Sequence, residues 1–220
     1  MTLLVPLYIH PAEDPAAWRL LASAAGRIHG VVLNPGDGPG DSPDPSFVTA
    51  ARALREAGTR VLGYVDLAYG ERPGTAVRDD LDRHREWYGV DGCFLDRAPA
   101  GAADLRRCRR LVRAARRRGA ATVVLNPGVH PARGYVRTAD LVVTFEGHWT
   151  TYLSSFVRPR WTSRYPPERF CHLVYGVPPA LTRLAVRTAL ERGAAVSCPV
   201  AGELPNPWAA PPFSLLGEAP

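Results

Sequence analysis

Eight short apolar runs that alternate with stretches of helical pattern constrain the fold of this chain more than any other feature. The runs are almost continuously apolar, which is typical of strands buried on both faces of a parallel sheet. The predicted strands span residues 3–9, 28–33, 60–65, 93–95, 121–125, 141–145, 170–174 and 194–197. The predicted helices span residues 15–25, 46–57, 77–87, 104–118 and 179–192, with a short helical piece at 132–138.

Polar residues at the ends of these runs distinguish a closed barrel from an open sheet. Six successive runs are followed by, or end on, His10, Asn34, Asp66, Asp96, Asn126 and Glu146. A closed barrel gathers all of these ends into one mouth, whereas an open sheet spreads them along an edge. We therefore predict a compact α/β fold, a (β/α)8 TIM-like barrel forming a single domain over residues 1–220, with an open doubly wound sheet as the alternative. The Pro-rich segment 202–220 is predicted to pack as an irregular cover.

Three carboxylates stand at these strand ends. The run Cys93-Phe94-Leu95 ends on Asp96, while Asp66 and Glu146 end the third and sixth runs. A charge at the end of a buried strand is costly unless it is paired or faces a solvated cleft. Two carboxylates in one cleft suit general acid/base or nucleophilic chemistry, of which glycoside hydrolysis is the commonest. The alternative for each acid taken alone is a structural ion pair with an arginine.

Amide and aromatic side chains accompany the acids. The hexapeptide Val-Val-Leu-Asn-Pro-Gly occurs at 31–36 and at 123–128, so Asn34 and Asn126 either face the mouth or cap their own loops. Aromatic rings near paired carboxylates suit stacking on sugar rings, with core packing as the alternative reading. The aromatic residues near strand ends are Tyr8, Tyr64, Tyr69, Trp149, Tyr152, Tyr175 and Trp208.

Neither a metal nor another cofactor is predicted. His10, His130 and His148 follow strands, but no HxH or HxxxH spacing supports a metal site. The four cysteines form no CxxC pair, which argues against zinc. Of these, Cys93 and Cys171 are predicted to be reduced core residues, with a Cys171–Cys198 disulfide as an alternative that would need an oxidising compartment.

All 27 basic residues are arginine, and the formal net charge is +6. The absence of lysine, with abundant Ala, Gly and Pro, indicates a GC-rich, bacterial coding sequence. Eight of the arginines fall within residues 104–119. They form either the solvated outer face of a helix or a patch that binds nucleic acid. Because no interleaved aromatic residues or nucleic-acid motif accompany them, no nucleic-acid partner is predicted.

No apolar run is long enough to span a membrane. The sequence begins without a basic leader or a cleavage site, so a cytoplasmic location is expected for it as given. A secreted protein trimmed of its leader would look the same. The oligomeric state is left open.

A series of short motifs resembles the spherulin 4 family (spherulation-specific family 4). The motifs are Val5-Pro6-Leu7-Tyr8, Val32-Leu33-Asn34-Pro35, Gly38-Pro39-Gly40, Leu62-Gly63-Tyr64-Val65-Asp66, Tyr69, Gly92 to Asp96, Val124-Leu125-Asn126-Pro127-Gly128, Ala139-Asp140, Phe145-Glu146 and Pro205-Asn206-Pro207-Trp208. The resemblance implies a (β/α)8 barrel. For the characterised branch it also implies a glycoside hydrolase that cleaves α-1,4-linked galactosamine-containing polysaccharide such as galactosaminogalactan.

The resemblance assigns the catalytic positions to Asp96 and Glu146. The chain departs from the family pattern at Arg97, where the family has Glu. If Arg97 points into the mouth, it should hold Asp96 ionised, which suits a nucleophile or an oxocarbenium-stabilising carboxylate in a retaining enzyme rather than an acid. Glu146 is then the acid/base, with its pKa expected to be raised by the apolar Phe145 and Trp149.

Other strand-end residues are assigned to a carbohydrate substrate. The predicted substrate-binding residues are Tyr8, His10, Asn34, Tyr64, Asp66, Arg97, Asn126, Trp149 and Tyr175. Two other functions stay open: a non-catalytic carbohydrate-binding protein on the same barrel, and a cytoplasmic enzyme for a different small substrate. Arg97 would attract such a substrate if it were anionic.

Overall fold

Eight parallel strands close into a barrel in the computed structural model, which describes residues 2–212 and 214. Each strand pairs with the next in sequence, and β8 closes the barrel onto β1 through Thr2 and Val196. The strands are β1 Thr2–Pro6, β2 Ile28–Leu33, β3 Val61–Asp66, β4 Gly92–Asp96, β5 Thr122–Leu125, β6 Leu141–His148, β7 Phe170–Tyr175 and β8 Val196–Pro199. The predicted α/β barrel is confirmed, and the open-sheet alternative is wrong.

Helices fill the connections between the strands, and their sequences explain where they begin and end. The helices are α1 Pro15–Ser23, α2 Pro45–Glu56, α3 Gly74–Tyr88, α4 Leu105–Arg117, α5 Trp149–Ser155 and α6 Thr182–Glu191. The Asp14 and Asp44 side chains accept backbone N–H groups of the first turns of α1 and α2, which proline opens. Gly89 ends α3 in the left-handed conformation that glycine adopts without steric cost.

Two strands end three residues away from their predicted ends, which is the largest difference among the eight. β1 stops at Pro6 rather than at residue 9, because Tyr8 N–H donates to the Trp208 carbonyl instead of to a neighbouring strand. β6 continues to His148 rather than ending at residue 145, since its last residues stay paired with β7 as far as Tyr175. α5 follows β6 at once and was not predicted from the sequence. The predicted helical piece at 132–138 is a single 3-10 turn, Arg133–Tyr135.

The core lies inside the barrel and between the barrel and its helices. Two glycines allow close approaches there that a side chain would block. A Cβ on Gly92 would lie 2.1 Å from the Thr122 carbonyl oxygen, and one on Gly63 would lie 2.6 Å from the His84 ring. The four cysteines, among them Cys93 and Cys171, are buried and free of disulfides, as predicted for those two.

The described part of the C-terminal segment lies against the start of the chain. Asn206 Nδ2 donates to the Tyr8 carbonyl at 2.9 Å, and Tyr8 N–H donates to the Trp208 carbonyl at 2.8 Å. This segment has irregular structure as far as Pro212, whereas residues 213 and 215–220 of the predicted cover lie outside the described residues. Within the described chain, no helix has the length and apolar character needed to cross a bilayer.

Candidate active site

The polar residues that end strands β3 to β6 meet at one end of the barrel, here called the mouth. Asp66 and Asp96 are the last residues of β3 and β4 and stand side by side in the sheet register. Asn126 follows the last residue of β5. Glu146 lies inside β6 rather than at its end, two residues before His148.

The two catalytic candidates are joined by one amide. The Asn126 Nδ2 group donates to Asp96 Oδ1 at 2.6 Å and to Glu146 Oε2 at 2.5 Å. Since both oxygens lie so close to a single nitrogen, they are at most about 5 Å apart. Asn126 Oδ1 accepts from Gly128 N–H at 2.9 Å, so the orientation of the amide is fixed. The sequence allowed Asn126 either to face the mouth or to cap its loop, and it does both.

Burial sets the proton affinities of this pair. Burial and the nearby charge of Asp96 raise the pKa of Glu146 to about 7, against hydrogen bonds from Asn126 and Trp208 that lower it. The expected direction is therefore confirmed. Burial is also the expected kind of cause, although Phe145 and Trp149, the residues expected to supply it, pack against Tyr152.

Asp96 is also held in a half-buried position. Tyr64 Oη donates to Asp96 Oδ2 at 2.8 Å, so both carboxylate oxygens accept a hydrogen bond. Burial raises the pKa of Asp96 above its ordinary value, although these hydrogen bonds lower it. Tyr8 stands edge-on to the Tyr64 ring, with 6.0 Å between the ring centroids. Burial, together with the charges of Asp96 and Glu146, raises the pKa of Tyr8 as well.

Arg97 pairs with Asp66 rather than with Asp96. Its Nε donates to Asp66 Oδ1 at 2.8 Å and its Nη2 contacts Oδ2. Burial alone would raise the pKa of Asp66, but Arg97 brings it below its ordinary value. The expectation that Arg97 holds Asp96 ionised is therefore wrong. The cause is the register of β3 and β4, which places Asp66 beside Asp96 and within reach of the next side chain.

The backbone around Arg97 is locally strained. Arg97 has φ 46°, and Ala68 and Tyr69 on the facing loop have φ 45° and 54°, values uncommon for residues other than glycine. Tyr69 N–H donates to the Arg97 carbonyl at 2.7 Å, and the guanidinium carbon lies 5.7 Å from the Tyr69 ring centroid. This arrangement holds an exposed aromatic ring and a half-exposed cation together at the rim.

Two depressions open in the mouth. The first has a volume of about 540 Å³ and is lined by Asp96, Asn126 and Glu146, with Tyr69 and Arg97 at its edge. The second has a volume of about 420 Å³. Its lining residues include Tyr8, His10, Asn34 and Asn206. The catalytic candidates thus face open space rather than the sealed interior.

Several predicted binding residues have other local roles. His10 Nε2 lies 3.1 Å from Asp44 Oδ2, and the Asn34 side chain accepts Gly38 N–H at 2.8 Å, so it caps its own loop. Tyr175 packs edge-on against Trp208. Trp149 is only 4% exposed and lies in the cluster beneath α5, so its ring is not available for stacking on a sugar.

The three histidines that follow strands have other contacts. His10 is paired with Asp44, His130 packs on Phe156, and His148 contacts Thr150 and Glu203. Among the described residues, no group of three or more His, Cys, Asp or Glu side chains is arranged to hold a metal ion.

Two residues at the mouth were not assigned to the site from the sequence. Trp208 lies near enough to Glu146 to lower the pKa of that carboxyl, and Tyr69 lines the same depression as Asp96. Tyr69 and Trp208 both belong to the motifs that resemble the spherulin 4 family, but their spacing in the sequence does not indicate that they lie near Asp96 and Glu146. Long-range placement of this kind comes from the closure of the barrel.

Comparisons with known proteins agree with this architecture. A family model described as spherulation-specific family 4 matches residues 2–197. Spherulin-4 of Physarum polycephalum is 37% identical over 149 residues, which cover 66% of this chain and 44% of that protein. The chain therefore spans less than half the length of this curated relative.

Solved structures extend the likeness over the whole barrel. The crystal structure of Aspergillus clavatus Sph3 in complex with GalNAc matches with a TM-score of 0.82 and 25% identity, covering 98% of this chain and 96% of that one. A chitinase from Rhizomucor miehei matches with a TM-score of 0.61 and 11% identity, covering 98% and 100% of the two chains. At that identity the chitinase supports the fold alone.

Proposed function

Since the chain belongs to the spherulation-specific family 4, we propose that it is a glycoside hydrolase with a retaining mechanism. Its substrates are α-linked glycans that contain galactosamine or N-acetylgalactosamine. The single observation that carries the proposal is the pair of carboxylates held by Asn126. Retaining glycosidases place their two carboxyl groups about 5–5.5 Å apart, because no water stands between nucleophile and sugar.

The sugar class is supported by the family and by one structural relative. The Sph3 structure, which shares 25% identity with this chain, is a complex with GalNAc. The aromatic rim and the polar lining of the two depressions also suit a carbohydrate. Carbohydrate is therefore the partner that we propose for the mouth.

Asp96 is the proposed nucleophile and Glu146 the proposed acid/base. In the first step a carboxylate oxygen of Asp96 bonds to the anomeric carbon, while Glu146 donates its proton to the departing glycosidic oxygen. In the second step Glu146 takes a proton from water, and the hydroxide oxygen displaces Asp96 from the anomeric carbon. The raised pKa of Glu146, about 7, supports this division, because an acid/base catalyst needs a pKa near the working pH so that it can both give and take a proton.

The remaining mouth residues are proposed to bind the substrate. Tyr64 and Asn126 orient Asp96, and Asp66 with Arg97 forms a polar wall beside it. Tyr69 offers a 62% exposed ring to a neighbouring sugar. Tyr8, His10, Asn34 and Tyr175 are assigned to the second depression and its border, where further sugar units would lie.

A binding protein without hydrolysis is the second candidate function. Arg97 favours it, because the arginine occupies both oxygens of Asp66 and so removes one free carboxylate from the mouth. This candidate predicts saturable binding of the same glycans with no release of products, which isothermal calorimetry combined with product analysis can detect.

The test of the proposed function is product release from a panel of α-linked galactosamine and N-acetylgalactosamine oligomers. We expect cleavage of at least one member, with the α-anomer as the first-formed product when the reaction is followed by NMR. Chitin oligomers, which are β-linked, serve as the negative control. Binding of the α-linked oligomers without any cleavage would establish the second candidate instead.

The activity should depend on pH through two groups. Glu146 must carry its proton in the first step, so kcat/KM should fall about tenfold per pH unit above about pH 7. Asp96 must be ionised, so a second fall is expected on the acid side, at a pH above the ordinary Asp value. In Glu146→Gln the alkaline limb should disappear from whatever activity remains. An alkaline limb that persists in this variant would assign it to another group.

A further inference from the structure

A cleft lined by arginine lies on the outer face of the barrel, between α3 and α4. It has a volume of about 480 Å³. Five arginines line it, one from α3 and four from α4, and none of its lining residues is acidic. The basic lining residues are Arg78, Arg107, Arg110, Arg113 and Arg117. None of these residues lines either depression of the mouth.

Most of this charge is not neutralised within the described chain. Arg107 donates to the Arg72 carbonyl, while residues 2–212 offer no hydrogen bond or ion pair to the other four. Two acids of α3 are engaged elsewhere, since Asp80 pairs with Arg72 at 2.6 Å and Asp82 with Arg118 at 2.8 Å. The arginines of the cleft are therefore free to bind anions.

The spacing of these charges is unfavourable for the helix itself. Arg110, Arg113 and Arg117 are three or four residues apart on α4, and like charges at this spacing destabilise a helix. Arg107 stands in the first turns, where the helix dipole favours negative charge. A bound polyanion would relieve both effects, whereas the solvated outer face expected from the sequence would not.

We propose that the α3–α4 cleft binds an anionic polysaccharide, at a site separate from the mouth. The row from Arg107 to Arg117 extends about 15 Å along α4, which matches an extended chain rather than a single small anion. Guanidinium groups bind carboxylate and sulfate groups through paired hydrogen bonds. The site would hold the protein on an acidic glycan while the mouth stays open.

The lining favours a polysaccharide over other polyanions. It contains no aromatic ring for stacking on the bases of a single-stranded nucleic acid. The cleft is a surface groove between neighbouring helices, whose axes typically lie about 8–10 Å apart, so it is too narrow to enclose a duplex. The cleft is concave, and its one large apolar side chain, Leu111, is only 7% exposed, which does not suit insertion into a bilayer.

The test is binding of a fluorescent heparin fragment, a sulfated polysaccharide, measured by anisotropy at several salt concentrations. In Arg110→Gln/Arg113→Gln/Arg117→Gln we expect affinity to fall at least tenfold and the slope of log K against log salt to fall by about 3. The matched control is Arg52→Gln/Arg133→Gln/Arg164→Gln, which removes the same charge from exposed positions elsewhere. In the control, affinity should fall no more than about threefold.

Several results would overturn the proposal. Equal losses of heparin affinity in the two triple variants would show that only net charge matters. If the wild-type protein bound neither heparin nor polygalacturonate, a polysaccharide that carries carboxylates, the proposed site would not exist. Tighter binding of single-stranded DNA, or of phosphatidylglycerol vesicles, would assign the cleft to another class of partner. Melting temperatures of both variants check that they fold. Because this assay involves no hydrolysis, its result is independent of whether the mouth is catalytic.

Discussion

Replacing Asp96 by Asn should lower kcat/KM on a cleavable glycan by roughly ten-thousand-fold, because the variant cannot form the bond to the anomeric carbon. The amide keeps the shape of the carboxylate and can still accept from Tyr64 or Asn126. Substrate affinity measured by calorimetry should therefore change little. Initial-rate kinetics on the best oligomer of the panel gives the comparison.

The acid/base assignment of Glu146 can be separated from that of Asp96. Glu146→Gln should lower kcat/KM on a natural glycan by roughly a thousand-fold. On an aryl glycoside, whose phenol leaves without a proton, the rate of the first step should fall much less. Asp96→Asn should lose activity equally on both substrates. Asp41→Asn, at an exposed position outside both depressions, is the charge-matched control. Turnover by either active-site variant at the wild-type rate would reject the role given to that residue.

Gly92→Ala should destabilise the protein by about 4 kcal/mol, among the largest effects of a single methyl group. The added Cβ would lie 2.1 Å from the Thr122 carbonyl oxygen and 2.9 Å from Leu62 Cδ2. Thr122 is the partner of Gly92 in the adjacent strand, so relief requires separating β4 from β5. Urea unfolding at 25 °C measures the change in the free energy of unfolding.

Gly26→Ala is the control for this prediction. A Cβ at Gly26 would have no atom within 4 Å, so the substitution should change the free energy of unfolding by less than about 1 kcal/mol. Similar effects of the two substitutions would mean that the close approach at Gly92 is not what limits its replacement.

The fold was largely predictable because its signal is local. The apolar runs and most helix starts, such as Asp44 with Pro45, can be recognised within a few residues, although α5 was missed. The positions of Asp96 and Asn126 at strand ends followed from the same pattern. β6 was predicted too short because its last residues, around Glu146, are polar and stay in the sheet only through pairing with β7.

The contacts within the site were less predictable because they depend on register and closure. Whether Arg97 meets Asp96 or Asp66 is decided by the alignment of β3 with β4, which no local pattern contains. Trp149 follows a strand in sequence, yet α5 turns its ring into the core. Trp208 reaches Glu146 from the other end of the chain.

The fixed amide of Asn126 has a consequence for how the two acids share their single proton. Without a spacer, a carboxylic acid and a carboxylate this close would collapse into a directly hydrogen-bonded dimer, as in aspartic proteases. Because Gly128 N–H donates to the amide oxygen of Asn126, the amide nitrogen remains between the carboxyl groups of Asp96 and Glu146. A proton bound by the pair would therefore stay on one carboxyl group, and the two acids would remain chemically distinct.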